Sequence, residues 1–194
     1  MRMPPHMLLT TAPDCVCPFG TQSWSYRFRE LVDVIEEFEE QTRPTSTRYY
    51  WFDIFVMNQH SQGDMDNLLE NLQASVRSPG RMLLALDSWR DPMPLTRAWC
   101  LLEIFTAISV KADIIMGFSP AEESSFKERL VQNQAEVEAA LAAVDAERAE
   151  ATVQADRDMI FEAIKQGTGF ANFNHTIRCA MRESLQRVLI ANQD

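Results

Sequence analysis

Apolar residues along this chain fall into distinct patterns, and each pattern predicts an element. Two short runs, Met82 to Leu86 and Ile114 to Phe118, show no polar alternation, which marks strands covered on both faces. Between them Ala98, Leu101, Leu102, Phe105 and Ile108 recur at i, i+3, i+4 and i+7. That spacing predicts an amphipathic helix over 96–108, with Thr96 as N-cap after Pro92 and Pro94. Strand, helix and strand in succession make the βαβ unit of a parallel sheet, and the rest of the chain is expected to pack around it.

Residues 26–41 predict a first helix, with Phe28, Leu31, Val32, Ile35 and Phe38 inward and Glu36, Glu37, Glu39 and Glu40 outward. The acidic run is either a solvated face or a docking surface for a basic partner. Residues 49–56, aromatic and β-branched, predict a strand. A helix over 66–78 turns Leu68, Leu69, Leu72 and Val76 inward and stops at Pro79-Gly80. After Phe118, Ser119-Pro120 opens a helix with serine as cap and proline in the first turn. One or two helices then run through Ala143, and 156–166 and 171–191 predict two more around Gly167-Thr168-Gly169. Residues 144–151 read either as helix or as a short edge strand at 145–148.

Composition narrows the partners. With 46% hydrophobic and 24% charged residues among 194, the chain is able to bury a full core. Its net charge of −10 argues against nucleic acid and against an anionic membrane surface. No run approaches the roughly 20 apolar residues of a membrane span, and the opening residues have too short an apolar stretch for a signal peptide. Cys15, Cys17, Cys100 and Cys179 form no disulfide framework, so a cytoplasmic protein is expected. No cofactor is expected, and no metal, since Cys15-x-Cys17 has no second ligand pair at suitable spacing.

Candidate chemistry centres on Glu103. Trp99 lies one turn before it, and the loop that precedes the helix brings Trp89, Arg90 and Arg97. Such a loop leaves the carboxyl end of a strand, where ligands of open α/β sheets bind. The plainer alternative makes Trp99 a core residue and Glu103 a solvated one. Asp53, interrupting an aromatic strand, is either a strand-end cap or a further site residue. His60 suits a loop-anchoring hydrogen bond better than a metal or catalytic role.

Trp99-Cys100-Leu101-Leu102-Glu103 resembles the Trp-Cys-x-x-Glu box of TIR (Toll/interleukin-1 receptor) domains. A closer likeness is to a divergent TIR-like group with Tyr-Trp-x-Asp-x-Phe-x-x-Asn-Gln-His followed by Leu-Thr-Arg-Ala-Trp-Cys-Leu-x-Glu. Those motifs stand here at Tyr50 to His60 and Leu95 to Glu103. The chain departs from the group at Gln22, where the group has histidine, and at Pro18 within the expected first strand.

The resemblance implies a flavodoxin-like parallel sheet of four or five strands in the order 2-1-3-4-5 with a helical C-terminal extension. Residues 1–13 would be a disordered lead-in, 14–118 the TIR-like core and 119–194 the helices packed on it. It also implies cleavage of the nicotinamide-ribose bond of NAD, the substrate, with Glu103 catalytic. Trp24, Asp53, Trp89, Arg90, Arg97 and Trp99 would hold the dinucleotide, in a cleft bordered by the 20–26 and 88–95 loops. Self-association into a homo-oligomer is expected with this activity. The alternative is a TIR-like module that binds protein and catalyses nothing.

Overall fold

A computed structural model describes residues 28–45, 48, 50, 70, 72–74, 76–77 and 80–191. The βαβ unit is present as predicted. Strand β1 (Arg81–Ala85) leads through a 3-10 turn at Met93–Thr96 to helix α2 (Ala98–Ser109) and then to strand β2 (Asp113–Gly117). The strands pair in parallel, with Leu83 opposite Ile115 and Ala85 opposite Gly117. Upstream lies helix α1 (Phe28–Thr42). Downstream come α3 (Pro120–Gln132), α4 (Gln134–Leu141), α5 (Gln154–Gln166) and α6 (Gly169–Ala191).

The unbroken apolar runs are explained by two separate coverings. Side chains of successive strand residues point to opposite faces. Met82, Leu84, Leu86, Ile114 and Met116 join one large core with Leu101, Phe126 and Phe173 from the helices. The other face is covered by α1: Leu31 and Val34 pack with Ala85, and Phe38 packs with Leu83. At Gly117 the approach is closest, because a Cβ there would lie 2.8 Å from both Val34 Cγ1 and Leu83 Cδ1. Val34, rather than the expected Val32, is thus the buried residue of that turn.

The flavodoxin-like sheet of four or five strands is not what forms: among the described residues the sheet is β1 and β2 alone, and helices dominate. The expected lead-in 1–13, the strand expected near 14–20 and all but Tyr50 of the strand expected at 49–56 lie outside the described residues. Residues 145–148, read as helix or as a short edge strand, form a 3-10 turn at Ala146–Arg148. Its backbone groups are engaged elsewhere. Asn174 Oδ1 accepts from Ala146 N at 2.9 Å, Arg178 Nε donates to the Val144 carbonyl at 3.1 Å, and Ala98 N donates to the Glu150 carbonyl at 2.8 Å.

Helix α2 departs from its prediction in a way that matters for function. Arg97, extended, is its N-cap residue, while Thr96 closes the preceding 3-10 turn by donating to the Met93 carbonyl at 2.8 Å. The amphipathic stripe is absorbed into burial nearly all round, since Cys100, Glu103, Ile104, Thr106 and Ala107 are buried with Ala98, Leu101 and Leu102. The C-terminal part packs on this helix. Helices α5 and α6 both pack on α2, whose remaining side meets β2, and Phe105 stacks on Phe173 of α6 with ring centroids 4.6 Å apart. A helix between a sheet and two further helices has little surface left for solvent or ligand. Among the described residues no helix is long and apolar enough to cross a membrane.

Candidate functional site

The loop from Leu86 to Arg97 leaves the carboxyl end of β1, and α3 starts from the carboxyl end of its parallel neighbour β2. The two are therefore adjacent, and α3 takes hold of the loop. Glu122 Oε1 accepts from Ser88 Oγ and from Trp89 N, each at 3.1 Å. Trp89 is fully buried and donates Nε1–H to Ser125 Oγ at 3.3 Å. Arg90 lies over the Trp89 ring, its guanidinium carbon 4.3 Å from the centroid, and also donates to Ser125 Oγ at 3.4 Å. Asp87 Oδ1 closes the loop by accepting from Met93 N at 3.2 Å. Burial raises the pKa of Asp87 above the ordinary aspartate range, against the lowering effect of that backbone hydrogen bond.

Arg97 and Trp99 are drawn to a different neighbour. Arg97 Nη2 donates to Thr152 Oγ1 at 2.9 Å, and Arg97 is bridged to Glu150. Trp99 Nε1 donates to Asp156 Oδ2 at 3.1 Å, joining α2 to the first turn of α5. The expected dinucleotide-binding set is thus divided, with Trp89 and Arg90 held by α3, and Arg97 and Trp99 held by the 150–156 segment. Trp24 and Asp53 lie outside the described residues, as do Gln22, His60, Cys15 and Cys17. Among the described residues no group of three or more His, Cys, Asp and Glu side chains could hold a metal ion.

Glu103 is not the solvated residue of the plainer alternative. It is 4% exposed, one turn beyond Trp99 on α2, and it takes part in a polar interaction within the fold. Two clefts are described, and Glu103 lines neither. One, of about 210 Å³, lies between α1, β2 and α3 with Val34, Phe38, Ile115 and Met116 in its walls. The second, of about 390 Å³, is lined by Asp33, Glu36, Glu37 and Glu40 against the start of α3 at Ser119 and Pro120.

Residues that sequence reasoning passed over are Glu122, Ser125, Thr152 and Asp156, all in the C-terminal part. For the first two a signal exists in the sequence. A helix that opens directly after the second strand of a βαβ unit must set its first turns beside the loop that follows the first strand. Nothing in sequence spacing points to Thr152 or Asp156.

The comparisons add no relative. No protein-family model matches the chain, and no curated protein and no solved structure matches it.

Proposed function

We propose that this chain is a TIR-like signalling module that acts by binding protein, through self-association or a partner, and not by cleaving NAD. The likeness to TIR domains rests on the motifs at Tyr50 to His60 and Leu95 to Glu103. One observation carries the choice against catalysis: Glu103 is 4% exposed and lines neither described cleft. A carboxylate that is to stabilise an oxocarbenium-like ribose must reach the sugar. Of the residues that would accompany it, Trp89 and Arg90 are committed to α3, and Arg97 and Trp99 to the 150–156 segment. The acidic surface along α1 also disfavours a dinucleotide, whose pyrophosphate it would repel.

A second reading, cleavage of the nicotinamide-ribose bond of NAD with Glu103 as the acting carboxylate, draws on the same residue. Glutamate is rarely buried to this degree without a role. Nicotinamide release, measured with purified chain at several protein concentrations, separates the two. The module reading expects background release at every concentration, while sedimentation velocity finds self-association as concentration rises or a monomer competent to bind a partner. Release that grows with concentration and disappears in Glu103→Gln would overturn it.

A further inference from the structure

We propose that the cleft between α1, β2 and α3 receives one apolar side chain from a basic, amphipathic segment of a partner protein. This rests on the interaction-module reading and names the surface and the chemistry of the partner. Size comes first. The cleft holds about 210 Å³, below the roughly 300 Å³ where small-molecule sites begin, and on the scale of a single large aliphatic or aromatic side chain. Its walls suit such a guest, being Val34 and Phe38 from α1, Ile115 and Met116 from β2, and Phe118 and Phe126 beyond them.

Charge identifies what surrounds the anchor. Glu37 lines both this cleft and a groove of about 390 Å³, so the two lie side by side along α1. Among the described residues their linings carry Asp33, Glu36, Glu37, Glu40 and Glu123 and one cation, Lys127. Lys127 is already paired with Glu123 at 2.9 Å, and Asp33 is paired with Arg29 at 2.9 Å. Glu37 accepts from the neutral amide of Gln41 at 2.8 Å. Helix α1 has no basic residue in its last turn, and its one cation, Arg29 near the start, is taken up by Asp33. An apolar socket bordered by carboxylates matches a helix with one anchoring side chain and Lys or Arg to either side. It would repel nucleotides and anionic lipid. The anchor is expected to carry most of the affinity, and the charges to set encounter rate and partner choice.

The test uses two synthetic peptides and the full chain. One peptide is a Lys/Arg-rich amphipathic helix with a central Phe; the other has Ser in place of that Phe. Binding is followed by fluorescence anisotropy at low and at physiological salt. The Phe peptide is expected to bind about tenfold more tightly than the Ser peptide, and to lose about tenfold on Glu37→Lys. Glu36→Lys, at an exposed position, provides the same charge reversal away from the core, and Glu162→Lys on α5 serves as the remote control, expected to bind like the parent.

No binding of the Phe peptide, equal binding of both peptides, or equal loss with Glu162→Lys would overturn the proposal. Nicotinamide release is measured on the same samples. Absence of both release and peptide binding overturns this site alone and leaves the module reading standing. Release that is lost with Glu103→Gln overturns that reading, and this proposal with it.

Discussion

Trp99 donates its indole Nε1–H to Asp156 Oδ2 at 3.1 Å, so the tryptophan of the Trp-Cys-x-x-Glu box is a strut between α2 and α5. The ring is half-buried and packs on the main core, which leaves the hydrogen bond as the separable part of its contribution. Trp99→Phe and Asp156→Ala are each expected to lower stability by about 1 kcal/mol. If the two residues act through each other, the double variant loses little more than either single one. Urea unfolding of the four proteins measures that coupling, and full additivity would show that the strut contributes nothing.

The path of β2 past α1 depends on a missing side chain. A Cβ at Gly117 would lie 2.8 Å from Val34 Cγ1 and 2.8 Å from Leu83 Cδ1, closer than real Cβ contacts come. Both neighbours are buried, so neither can swing into solvent. Gly117→Ala is therefore expected to cost about 1–3 kcal/mol through overpacking. Gly117→Ala combined with Val34→Ala should recover part of that loss. Thermal unfolding checks the order of the three variants, and a double variant no better than Gly117→Ala would contradict the packing account.

Much of this was legible in the sequence. The runs Met82 to Leu86 and Ile114 to Phe118, with the helical spacing between them, define the βαβ unit, and both strands are parallel and covered on two faces. The last helix forms where 171–191 predicts it, and Phe173, Ile177, Met181 and Leu185 at helical spacing are buried. What periodicity could not show is how many neighbours a helix has. The stripe on α2 specified the side that meets one core, but Cys100, Glu103 and Thr106 are buried too, and the helix also packs on α5 and α6, more than fifty residues later in sequence for the Trp99–Asp156 pair. Likewise, residues 144–151 read either as helix or as a short edge strand, and a 3-10 turn forms instead at Ala146–Arg148, where Asn174 and Arg178 of α6 hold the Ala146 amide and the Val144 carbonyl.

The turn between α2 and β2 holds a lysine in a conformation that favours glycine. Lys111 has φ +61°, and the flanking amides are used, Val110 N donating to the Thr106 carbonyl at 3.0 Å and Ala112 N to that of Ala107 at 2.9 Å. Left-handed backbone costs a side-chain-bearing residue about 1–2 kcal/mol, part of which glycine gives back through its freer unfolded state. Lys111→Gly is expected to stabilise the protein by about 0.5–1 kcal/mol. Urea midpoints at unchanged slope provide the check, and a lower midpoint would refute it.

Asp87 supplies a pH signature. Its folded pKa is raised, chiefly by burial, so the folded chain holds this proton more tightly than the unfolded chain. The stability it contributes is therefore present at acid pH and lost as pH rises from the ordinary aspartate range through the raised value. Asp87→Asn keeps an oxygen able to accept from Met93 N and removes the titration. Relative to Asp87→Asn, the parent should be most stable at low pH and lose ground across that window. A stability difference that is flat with pH, or that moves the other way, would place the cause elsewhere.

Glu103 is where the two functional readings meet, and its substitutions divide them. The side chain is 4% exposed on a helix enclosed by β2, α5 and α6, and it takes part in a polar interaction. Under the module reading it is a structural acid. Glu103→Ala should then cost about 1–3 kcal/mol, because truncation strands whatever polar group faces it. Glu103→Gln keeps size and hydrogen-bonding capacity and should cost less. Neither variant should alter nicotinamide release, which stays at background in the parent, and Glu103→Gln should leave anchor-peptide binding at the α1 cleft unchanged. A catalytic carboxylate would behave in the opposite way, with Glu103→Gln folding like the parent and losing turnover. Urea unfolding and nicotinamide release, run on the same preparations of both variants, therefore assign the residue to one role or the other.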